Sequence, residues 1–222
     1  EIELMRSIVQ PLPQQIDGQP RVPHAFFYLR EPSYLEAIDD PDVEALFFDV
    51  DSPGGMAMGT PELAELIDDA ADKKPCWAWV EGYCCSAAYF SLAGCTQIYG
   101  RTTCEVGAVE CYMAVLNSVG WFENKGLKIE IIKPVESVYA AAGYPGTDLN
   151  DAQRGELLAK CEYILGLYVD HLEECRPDIA AAAMRGQTFI GEQAIAAGFI
   201  DAVTTKAQAM RELRQWANLP PL

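Results

Sequence analysis

Residues 43–55 read VEALFFDVDSPGG, an apolar run that ends in an Asp-Ser-Pro-Gly-Gly turn. A short apolar run bounded by a turn is typical of a strand that is buried on both faces of a parallel sheet. Thr60 is a good N-cap, and Pro61 suits the first position of a helix that follows. The stretch therefore predicts a strand, a tight glycine turn and a helix. The apolar face expected for this helix consists of Leu63, Leu66, Ile67 and Ala70.

The same order of elements follows once more along the chain. Cys76–Val80 (CWAWV) predicts a second buried strand, the glycine-bearing residues 81–85 a second turn, and Ser86–Ala93 a second helix. Gln97–Gly100 predicts a third, short strand. Strands that alternate with helices in this way form βαβ units with a parallel sheet, so we expect an α/β fold.

The remaining elements are expected to complete a single α/β core domain at residues 24–222. An arm rich in Pro and Gln, at residues 1–23, is expected to precede it without regular structure. The remaining predicted strands are His24–Leu29 and Leu127–Ile132, and the remaining helices are Pro32–Asp40, Leu116–Lys125, Asp151–Glu174 and Glu192–Ala197. Two further segments follow the last of these helices, Phe199–Val203 and Lys206–Trp216. The apolar face of the long helix is expected to include Leu157, Cys161, Ile164, Leu165, Tyr168 and Leu172.

The chain of 222 residues carries 16 basic and 33 acidic side chains, which give a formal net charge of −17. Such a surface repels phosphates and anionic lipid headgroups, which argues against nucleic acids and membrane surfaces as partners. The sequence has no apolar run near the ~18 residues of a membrane span, and its start lacks a signal-peptide pattern. We therefore expect a cytoplasmic location. Because the chain starts at Glu1 rather than Met, a membrane anchor in a longer gene product stays open.

Eight cysteines and two histidines are present, and these residue types are common metal ligands. No cysteine pair shows CxxC spacing, and His24 and His171 are far in sequence from the main cysteine cluster, so the sequence predicts no zinc site. Most of the cysteines lie in apolar segments, as reduced and buried cysteines do. This usage indicates a reducing compartment rather than a disulfide scaffold.

Two glycine-bearing turns follow predicted strands, at the edge of the sheet where α/β proteins bind ligands. In the first turn, Gly54 and Gly55 allow a close approach of the backbone and can direct an N–H group at an oxyanion. In the second, Ser86 opens a helix whose field favours an alkoxide, and the N–H of Ala87 is a second donor. The alternatives are a plain type II turn at Pro53-Gly54 and an ordinary N-cap role for Ser86.

The sequence offers no clear histidine base for Ser86. His24 lies at the entry of an edge-like strand, and we expect His171 to lie on a solvated face of the long helix. Cys84 and Cys85 are rival nucleophiles without a histidine nearby in sequence, and we interpret them as small core residues. A serine–lysine dyad is the alternative to a histidine-based triad.

Several segments, in this order, resemble a known family. Asp49–Met56 (DVDSPGGM) followed by a helix, then Pro75–Ala78 (PCWA) and Cys85–Tyr89 (CSAAY), are similar to the bacterial signal peptide peptidase family. The resemblance is closest to the phage head-maturation proteases of that family. Gly186–Asp201 (GQTFIGEQAIAAGFID) is similar to the family's carboxyl-terminal segment, and the whole resemblance covers about residues 40–205.

The resemblance implies a Clp-protease/crotonase-like fold of stacked βαβ units, in subunits that form homo-oligomeric rings. It also implies peptide hydrolysis by a Ser–Lys dyad, with neither a cofactor nor a metal. Carried over residue by residue, Ser86 matches the nucleophile, while Gly54, Gly55 and Ala87 match the oxyanion elements. A phage-encoded relative of this kind would act in the host cytoplasm or the prohead.

Two positions depart from the family pattern. The base lysine stands three residues before a Gly-x-Pro segment, and here that position is Ala140; a polar helper of the family aligns with Ala108. Both departures predict that the chain as it stands is inactive. The intact nucleophile and glycines favour an engineered lysine-to-alanine change, whereas Ala108 favours a natural pseudoenzyme. We expect Lys125, Lys128 and Lys133 to be solvated surface residues rather than replacement bases.

Three functions follow from this reading. The first is a serine endopeptidase that acts on extended polypeptide, which in a phage-like variant would be a capsid or scaffold protein. The second is a non-catalytic assembly module of the same fold. The third is an acyl-CoA enzyme, because crotonases share the fold and use a related oxyanion hole, with Glu105 and Glu110 as its candidate carboxylates.

Overall fold

The computed structural model describes residues 2–6, 37–41 and 43–217, and at 2–6 it describes the backbone alone. The chain divides into two compact units, one within residues 1–110 and 167–222 and one formed by Cys111–Gly166. The strand expected at His24–Leu29 lies outside the described residues. So does most of the helix expected at Pro32–Asp40, of which residues 37–39 are helical.

The first unit contains a sheet and the helices that pack on it. Its described strands are β1 (Ile2–Arg6), β2 (Ala45–Ser52), β3 (Cys76–Cys85), β4 (Gln97–Gly100), β5 (Glu105–Gly107), β6 (Thr188–Ile190) and β7 (Ala202–Val203). Within residues 43–217, the helices are α1 (Thr60–Lys73), α2 (Ala87–Leu92), α3 (Val119–Asn124), α4 (Asp151–Cys175), α5 (Glu192–Ala196) and α6 (Lys206–Trp216), with a 3₁₀ turn at Ala181–Ala183. Helix α3 belongs to the second unit, and α4 begins in the second unit and ends in the first.

The strands are ordered β1-β2-β3-β4-β7, and every neighbouring pair in this path is parallel. Strand β5 pairs in parallel with the carboxyl end of β3, and β6 pairs antiparallel to β5. Parallel neighbours joined through helices are the βαβ units that the sequence predicts. The expected α/β architecture is therefore confirmed.

Strand β1 differs from the irregular arm expected at residues 1–23. The backbone of Ile2–Arg6 pairs in parallel with β2, in the register Ile2 to Ala45. The expectation rested on the Pro and Gln content of the whole segment, which conceals a short Ile-Glu-Leu-Met run. Such a run can complete an exposed edge because the backbone groups of an edge strand are unpaired.

One face of the sheet packs against the carboxyl-terminal helix. Phe47, Trp77 and Trp79 alternate along β2 and β3, so they point to the same face, and they form a buried cluster with Ala209 and Leu213 of α6. Burial of side chains of this size contributes about 1.5–3 kcal/mol each to folding. Helix α6 spans Lys206–Trp216, a segment that the sequence delimits without indicating its type.

Strand β3 is longer than the five residues expected. It continues to Cys85 because a shift of register lets the chain bulge: Val50 pairs with Val80, but Ser52 pairs with Cys84. The last residues of β3 then find a new neighbour in β5, where Cys85 pairs with Gly107. Residues 81–85, which the sequence predicts to form a turn, therefore mostly form a bulged strand.

The second unit contains little regular structure apart from its two helices. The predicted strand at Leu127–Ile132 is wrong, because residues 111–150 contain no strand that could pair with it. Ile129 instead lies beside Gly146, whose N–H donates to the Ser118 hydroxyl at 2.8 Å. The helix expected at Leu116–Lys125 is shorter, at Val119–Asn124.

Three further expectations about helices need correction. Helix α1 begins at Thr60 with Gly59 as its N-cap, and the Thr60 hydroxyl donates to the carbonyl of Met56 at 2.8 Å. In α4, the expected apolar face is buried at Tyr168 and Leu172, whereas its other members are only half-buried. His171, expected on a solvated face, keeps only 13% of its side chain exposed.

Among the described residues, no helix combines the length and apolar character of a membrane span.

Candidate active site

The register of β2 and β3 brings the two glycine-bearing turns together. Because Ser52 pairs with Cys84 in parallel, the residues two positions further, Gly54 and Ser86, lie side by side. A Cβ atom added to Gly54 would lie 2.7 Å from the Ser86 Cβ and 2.7 Å from the Cys85 carbonyl oxygen. Gly54 also has a φ of +104°, which side chains rarely adopt. Only glycine therefore fits beside Ser86.

Ser86 itself has an uncommon backbone conformation, with φ 52° and ψ −128°. Its side chain makes no capping hydrogen bond to α2, which begins at the next residue, so the ordinary N-cap alternative does not describe it. The side chain is partly exposed. Non-glycine residues in such strained conformations cluster at functional sites, and each costs about 1–3 kcal/mol.

The surroundings of Ser86 hold it in this conformation through its backbone. Its N–H donates to the Gly107 carbonyl at 2.8 Å, and its own carbonyl accepts from the Phe90 N–H at 3.0 Å. The buried Tyr168 hydroxyl of α4 donates to the same carbonyl at 2.9 Å. Burial raises the pKa of Tyr168 well above its usual value, so this phenol stays a donor. The sequence placed Tyr168 on an apolar face and gave no sign of this role.

The geometry distinguishes between the amides of the first turn. The Gly54 N–H donates to the Ser52 hydroxyl at 3.3 Å and is therefore occupied, whereas Gly55 is exposed. Across from it, Ala87 is the first residue of α2, where a helix offers no acceptor for its N–H. Gly55 and Ala87 are the residues of the two turns whose amides suit an oxyanion.

Asp51 supports this arrangement, and sequence reasoning did not find it. Its carboxylate accepts the Tyr83 N–H at 3.0 Å, and a Cβ added to Gly82 would lie 2.6 Å from the same oxygen. The Asp51 side chain thus binds the bulge of β3 to the end of β2. The sequence shows an acidic residue before a Ser-Pro-Gly-Gly turn. It does not show which distant residue this carboxylate binds.

The two rival nucleophiles are unsuited to the task. Burial, followed by the nearby Glu105 carboxylate, raises the pKa of the Cys85 thiol to about 12, and burial raises that of Cys84 well above its usual value. The thiolate is the reactive form of cysteine, so neither side chain is a nucleophile near neutral pH. Both are buried, in agreement with their interpretation as core residues.

The first unit places no described histidine or lysine as a base for Ser86. His171 is turned to the Phe90 carbonyl, 3.1 Å from its Nε2 atom, and His24 lies outside the described residues. Lys74 donates to the carbonyls of Ala37 and Asp40. The other lysines of the described part of this unit, Lys73 and Lys206, form ion pairs with Asp39 and Asp49.

Ala108 follows the residue that accepts the Ser86 N–H. It is buried, has a positive φ of 53°, and donates its N–H to the Gln187 carbonyl at 2.9 Å. Its methyl group offers no hydrogen bond. The expected polar helper is therefore absent from this position, as the sequence indicates.

In the second unit, the backbone at Ala140 is held by two side chains. The Ala140 carbonyl accepts from the buried Gln153 amide at 2.8 Å and from Lys133 Nζ at 3.4 Å. Lys133 also donates to the Val138 carbonyl at 3.2 Å. Lys133 was expected to be a solvated surface residue, but it is only half-exposed and binds the segment around position 140.

Comparison with known proteins agrees with these motifs. The model of peptidase family S49 matches residues 68–220. The chain belongs to peptidase family S49. A protein named as a protease in Methanocaldococcus jannaschii is 26% identical over 193 residues, which are 84% of this chain and 61% of that protein. The capsid assembly protease C of Escherichia phage lambda is 24% identical over 181 residues, which are 81% of this chain and 41% of that protein.

These figures also show that this S49 chain spans less than two thirds of the length of either relative. Among solved structures, a membrane-bound stomatin-specific protease, determined as a lysine-to-alanine mutant with a substrate peptide, is similar with a TM-score of 0.50. It is 17% identical, and the match covers 82% of this chain and 71% of that one. The expected Clp-protease/crotonase-like fold of the S49 family is confirmed.

Proposed function

We propose that this S49 chain is the core of a serine endopeptidase in which Ser86 is the nucleophile. The observation that carries the proposal is the position of Ser86, a strained, uncapped and partly exposed serine in contact with Gly54. The N–H groups of Gly55 and Ala87 are the proposed oxyanion donors. Removal of one such donor from another serine protease raises the activation free energy by about 2.7–4 kcal/mol.

The general base of the proposed Ser–Lys dyad is missing from this chain. The family's lysine position is Ala140, and the position of its polar helper is Ala108. Without a base the Ser86 hydroxyl stays protonated at neutral pH, and proton transfer by a positioned base is worth roughly 10²–10⁴-fold in rate. We propose that the chain is inactive for this reason. A lysine at position 140, held by the Gln153 contact to that backbone, is the change that restores the dyad.

The proposed substrate is an extended polypeptide. Met56 and Met58 follow the first glycine turn and Tyr83 precedes the second, and all three are exposed large apolar side chains. Exposed apolar side chains at this position suit apolar residues of a peptide that lies beside the strand ends. The capsid protease among the relatives supports a capsid or scaffold protein as the substrate, in the host cytoplasm or the prohead.

We also propose that the chain assembles into a homo-oligomeric ring. Among the residues that the structure describes, most of the exposed large apolar side chains lie in the second unit, within Cys111–Gly166. Soluble monomers rarely expose so many apolar groups together, and closed symmetric assembly covers such surfaces. The exposed residues with the largest accessible fractions in this unit are Tyr112, Leu116, Val135, Ile132 and Tyr163.

The activity of Ala140→Lys tests the proposal. The variant is assayed on casein and on a co-expressed phage scaffold protein, with Ala140→Lys/Ser86→Ala as the matched control. We expect cleavage by the first variant only. Equal activity in both, with fold and assembly unchanged, would favour the non-catalytic assembly module. Binding of coenzyme A to the unmodified chain would favour the acyl-CoA alternative, although Glu105 already accepts a hydrogen bond from Thr188 at 2.6 Å.

A further inference from the structure

A second group of reactive side chains lies away from Ser86, between α1 and α4. Asp68 of α1 and the His171–Cys175 pair of α4 each offer one ligand atom, and these atoms lie within 4.8 Å of one another. The two α4 residues are four positions apart, which places them on the same side of the helix. All three residues are only partly exposed. Neither CxxC spacing nor the distance of the histidines from the main cysteine cluster, on which the prediction of no zinc site rests, applies to the His171–Cys175 pair.

The orientation of the His171 ring leaves one nitrogen for a cation. Its Nε2 atom lies 3.1 Å from the Phe90 carbonyl, which is an acceptor only, so Nε2 carries the hydrogen and donates. The Phe90 ring meets the imidazole edge-on, with centroids 4.8 Å apart, and fixes its plane. Nδ1 then keeps its lone pair, and it lies 3.7 Å from Asp68 Oδ2. A histidine whose second nitrogen donates to a backbone carbonyl is the usual arrangement of a metal ligand.

The two separations that involve Nδ1 are compatible with ligands of one transition-metal ion, and the separation of Nδ1 from Sγ also fits a weak thiol hydrogen bond. Nδ1 of His171 lies 3.7 Å from Asp68 Oδ2 and 3.6 Å from Cys175 Sγ. Ligands at about 2.0–2.3 Å around a tetrahedral zinc are roughly 3.3–3.7 Å apart. A hydrogen bond between Nδ1 and a carboxylate would be near 2.8 Å. Sγ is also 3.9 Å from Nε2, so metal binding requires a rotation of the Cys175 side chain toward Nδ1.

The electrostatic surroundings favour a cation at this point. No described residue donates a hydrogen bond to the buried Oδ1 atom of Asp68, and Gly94 faces this atom so closely that a side chain there would overlap it. Glu174, Asp69 and Asp72 act on Asp68 as further negative charges. Cys175 is the last residue of α4, where unpaired carbonyls make the helix end negative. The nearby Arg176 does not oppose this arrangement, because Asp201 and the Ala93 and Cys95 carbonyls bind its guanidinium.

We propose that Asp68, His171 and Cys175 form a binding site for one divalent transition-metal ion of the zinc class. Its carboxylate, imidazole and thiolate are all zinc ligands, and three protein ligands leave a fourth position for water or another group. The ion replaces the thiol proton of Cys175 on binding. It joins α1 to the last turn of α4, where His171 lies about one turn and Cys175 about two turns beyond Tyr168, which donates to the Ser86 carbonyl.

Titration of the metal-free, reduced chain with Co²⁺ and with Zn²⁺ tests this site. We expect one ion per chain, an intense visible spectrum of tetrahedral Co²⁺, and a sulfur-to-cobalt charge-transfer band that Zn²⁺ abolishes. Cys175→Ser is expected to lose the charge-transfer band. The matched control Cys161→Ser, which changes another half-buried cysteine of α4, is expected to keep it.

Asp68→Asn keeps the shape of the side chain but removes its charge. It therefore distinguishes a metal site formed by all three residues from metal binding by a thiol alone. We expect it to weaken Zn²⁺ binding by more than about 10-fold, because outer contacts alone are worth 10–100-fold in such sites. The melting temperature is expected to rise with Zn²⁺ in the unmodified chain and in Cys161→Ser, but not in Asp68→Asn or Cys175→Ser. Any one of three results would overturn the proposal. They are saturation with Co²⁺ without a charge-transfer band, a band that survives in Cys175→Ser, and a Zn²⁺ affinity of Asp68→Asn equal to that of the unmodified chain.

Discussion

Gly54 and Ser86 lie in contact at the carboxyl ends of β2 and β3, although 32 positions separate them in the sequence. A Cβ atom at Gly54 would be 2.7 Å from the Ser86 Cβ and 3.2 Å from the Ala87 nitrogen. The contact depends on the shift of register after Val50, which sets Ser52 opposite Cys84. The glycine turn and the serine therefore form one structural unit, and a change at either residue acts on both.

Gly54→Ala is expected to destabilise the protein and distort the Ser86 turn. The added methyl group meets backbone and Cβ atoms that cannot move aside, and overpacking of this kind costs about 1–3 kcal/mol beyond the strain of a positive φ. Gly59→Ala is the matched control, because Gly59 also has a positive φ of +84° but has no atom within 4 Å of an added Cβ. Urea unfolding measures both variants. Equal losses of unfolding free energy would contradict the close contact at Gly54.

Tyr168→Phe is expected to loosen the nucleophile without unfolding the protein. It removes the hydroxyl that donates to the Ser86 carbonyl, a bond worth about 0.5–1.5 kcal/mol, and leaves the Phe90 N–H bond to the same carbonyl. In the Ala140→Lys background we expect slower labelling of Ser86 by a fluorophosphonate. Tyr163→Phe, at an exposed position of the same helix, is the control and should label at the unchanged rate. The same rate in both variants would refute a positioning role for Tyr168.

Asp201→Asn is expected to lower the unfolding free energy by about 3 kcal/mol. Asp201 binds the Arg176 guanidinium at 3.0 Å, and Arg176 keeps only 10% of its side chain exposed, so the substitution leaves a buried charge without its partner. Lys73→Ala breaks the exposed pair with Asp39 and should cost about 0–1 kcal/mol. Chemical denaturation compares the two variants, and a cost at Asp201 as small as that at Lys73 would contradict the buried pair.

The buried thiols predict a loss of stability in alkali. Burial raises the pKa of Cys76 and of Cys85 from an ordinary value near 9 to about 12. Above pH 9 the unfolded chain releases these protons while the folded chain keeps them, so folding stability falls as the pH rises toward 12. The slope approaches about 1.4 kcal/mol per pH unit for each thiol. We expect Cys85→Ala to make the decline of the urea midpoint between pH 9 and 11 shallower; an unchanged slope would show that Cys85 does not contribute.

The sequence predicted the elements that local pattern controls. The apolar run before Asp51 became β2, and the bounds of the predicted strand Gln97–Gly100 agree with the structure. The segment Leu127–Ile132 is also largely apolar but forms no strand, because a strand also needs a paired neighbour. Local pattern cannot supply that neighbour.

The sequence predicted the site residues that belong to a short motif. It did not predict the residues whose role depends on a contact with a distant part of the chain. Ser86, Gly54 and Gly55 were identified from two short motifs. Asp51 and Tyr168 were missed as supports of the Ser86 turn, because their partners lie 32 and 82 positions away. The catalytic roles and the boundary of the core domain at residue 24 stay predictions.

The most direct test of the account is the site at which a fluorophosphonate labels the Ala140→Lys variant. Peptide mapping by mass spectrometry locates the adduct, with Ala140→Lys/Ser86→Ala and the unmodified chain as controls. The account predicts a single adduct on Ser86 in Ala140→Lys and labelling slower by roughly 10²–10⁴-fold in the unmodified chain. An adduct on another residue, or equal labelling of the unmodified chain and Ala140→Lys, would contradict a dyad built on Ser86 and position 140.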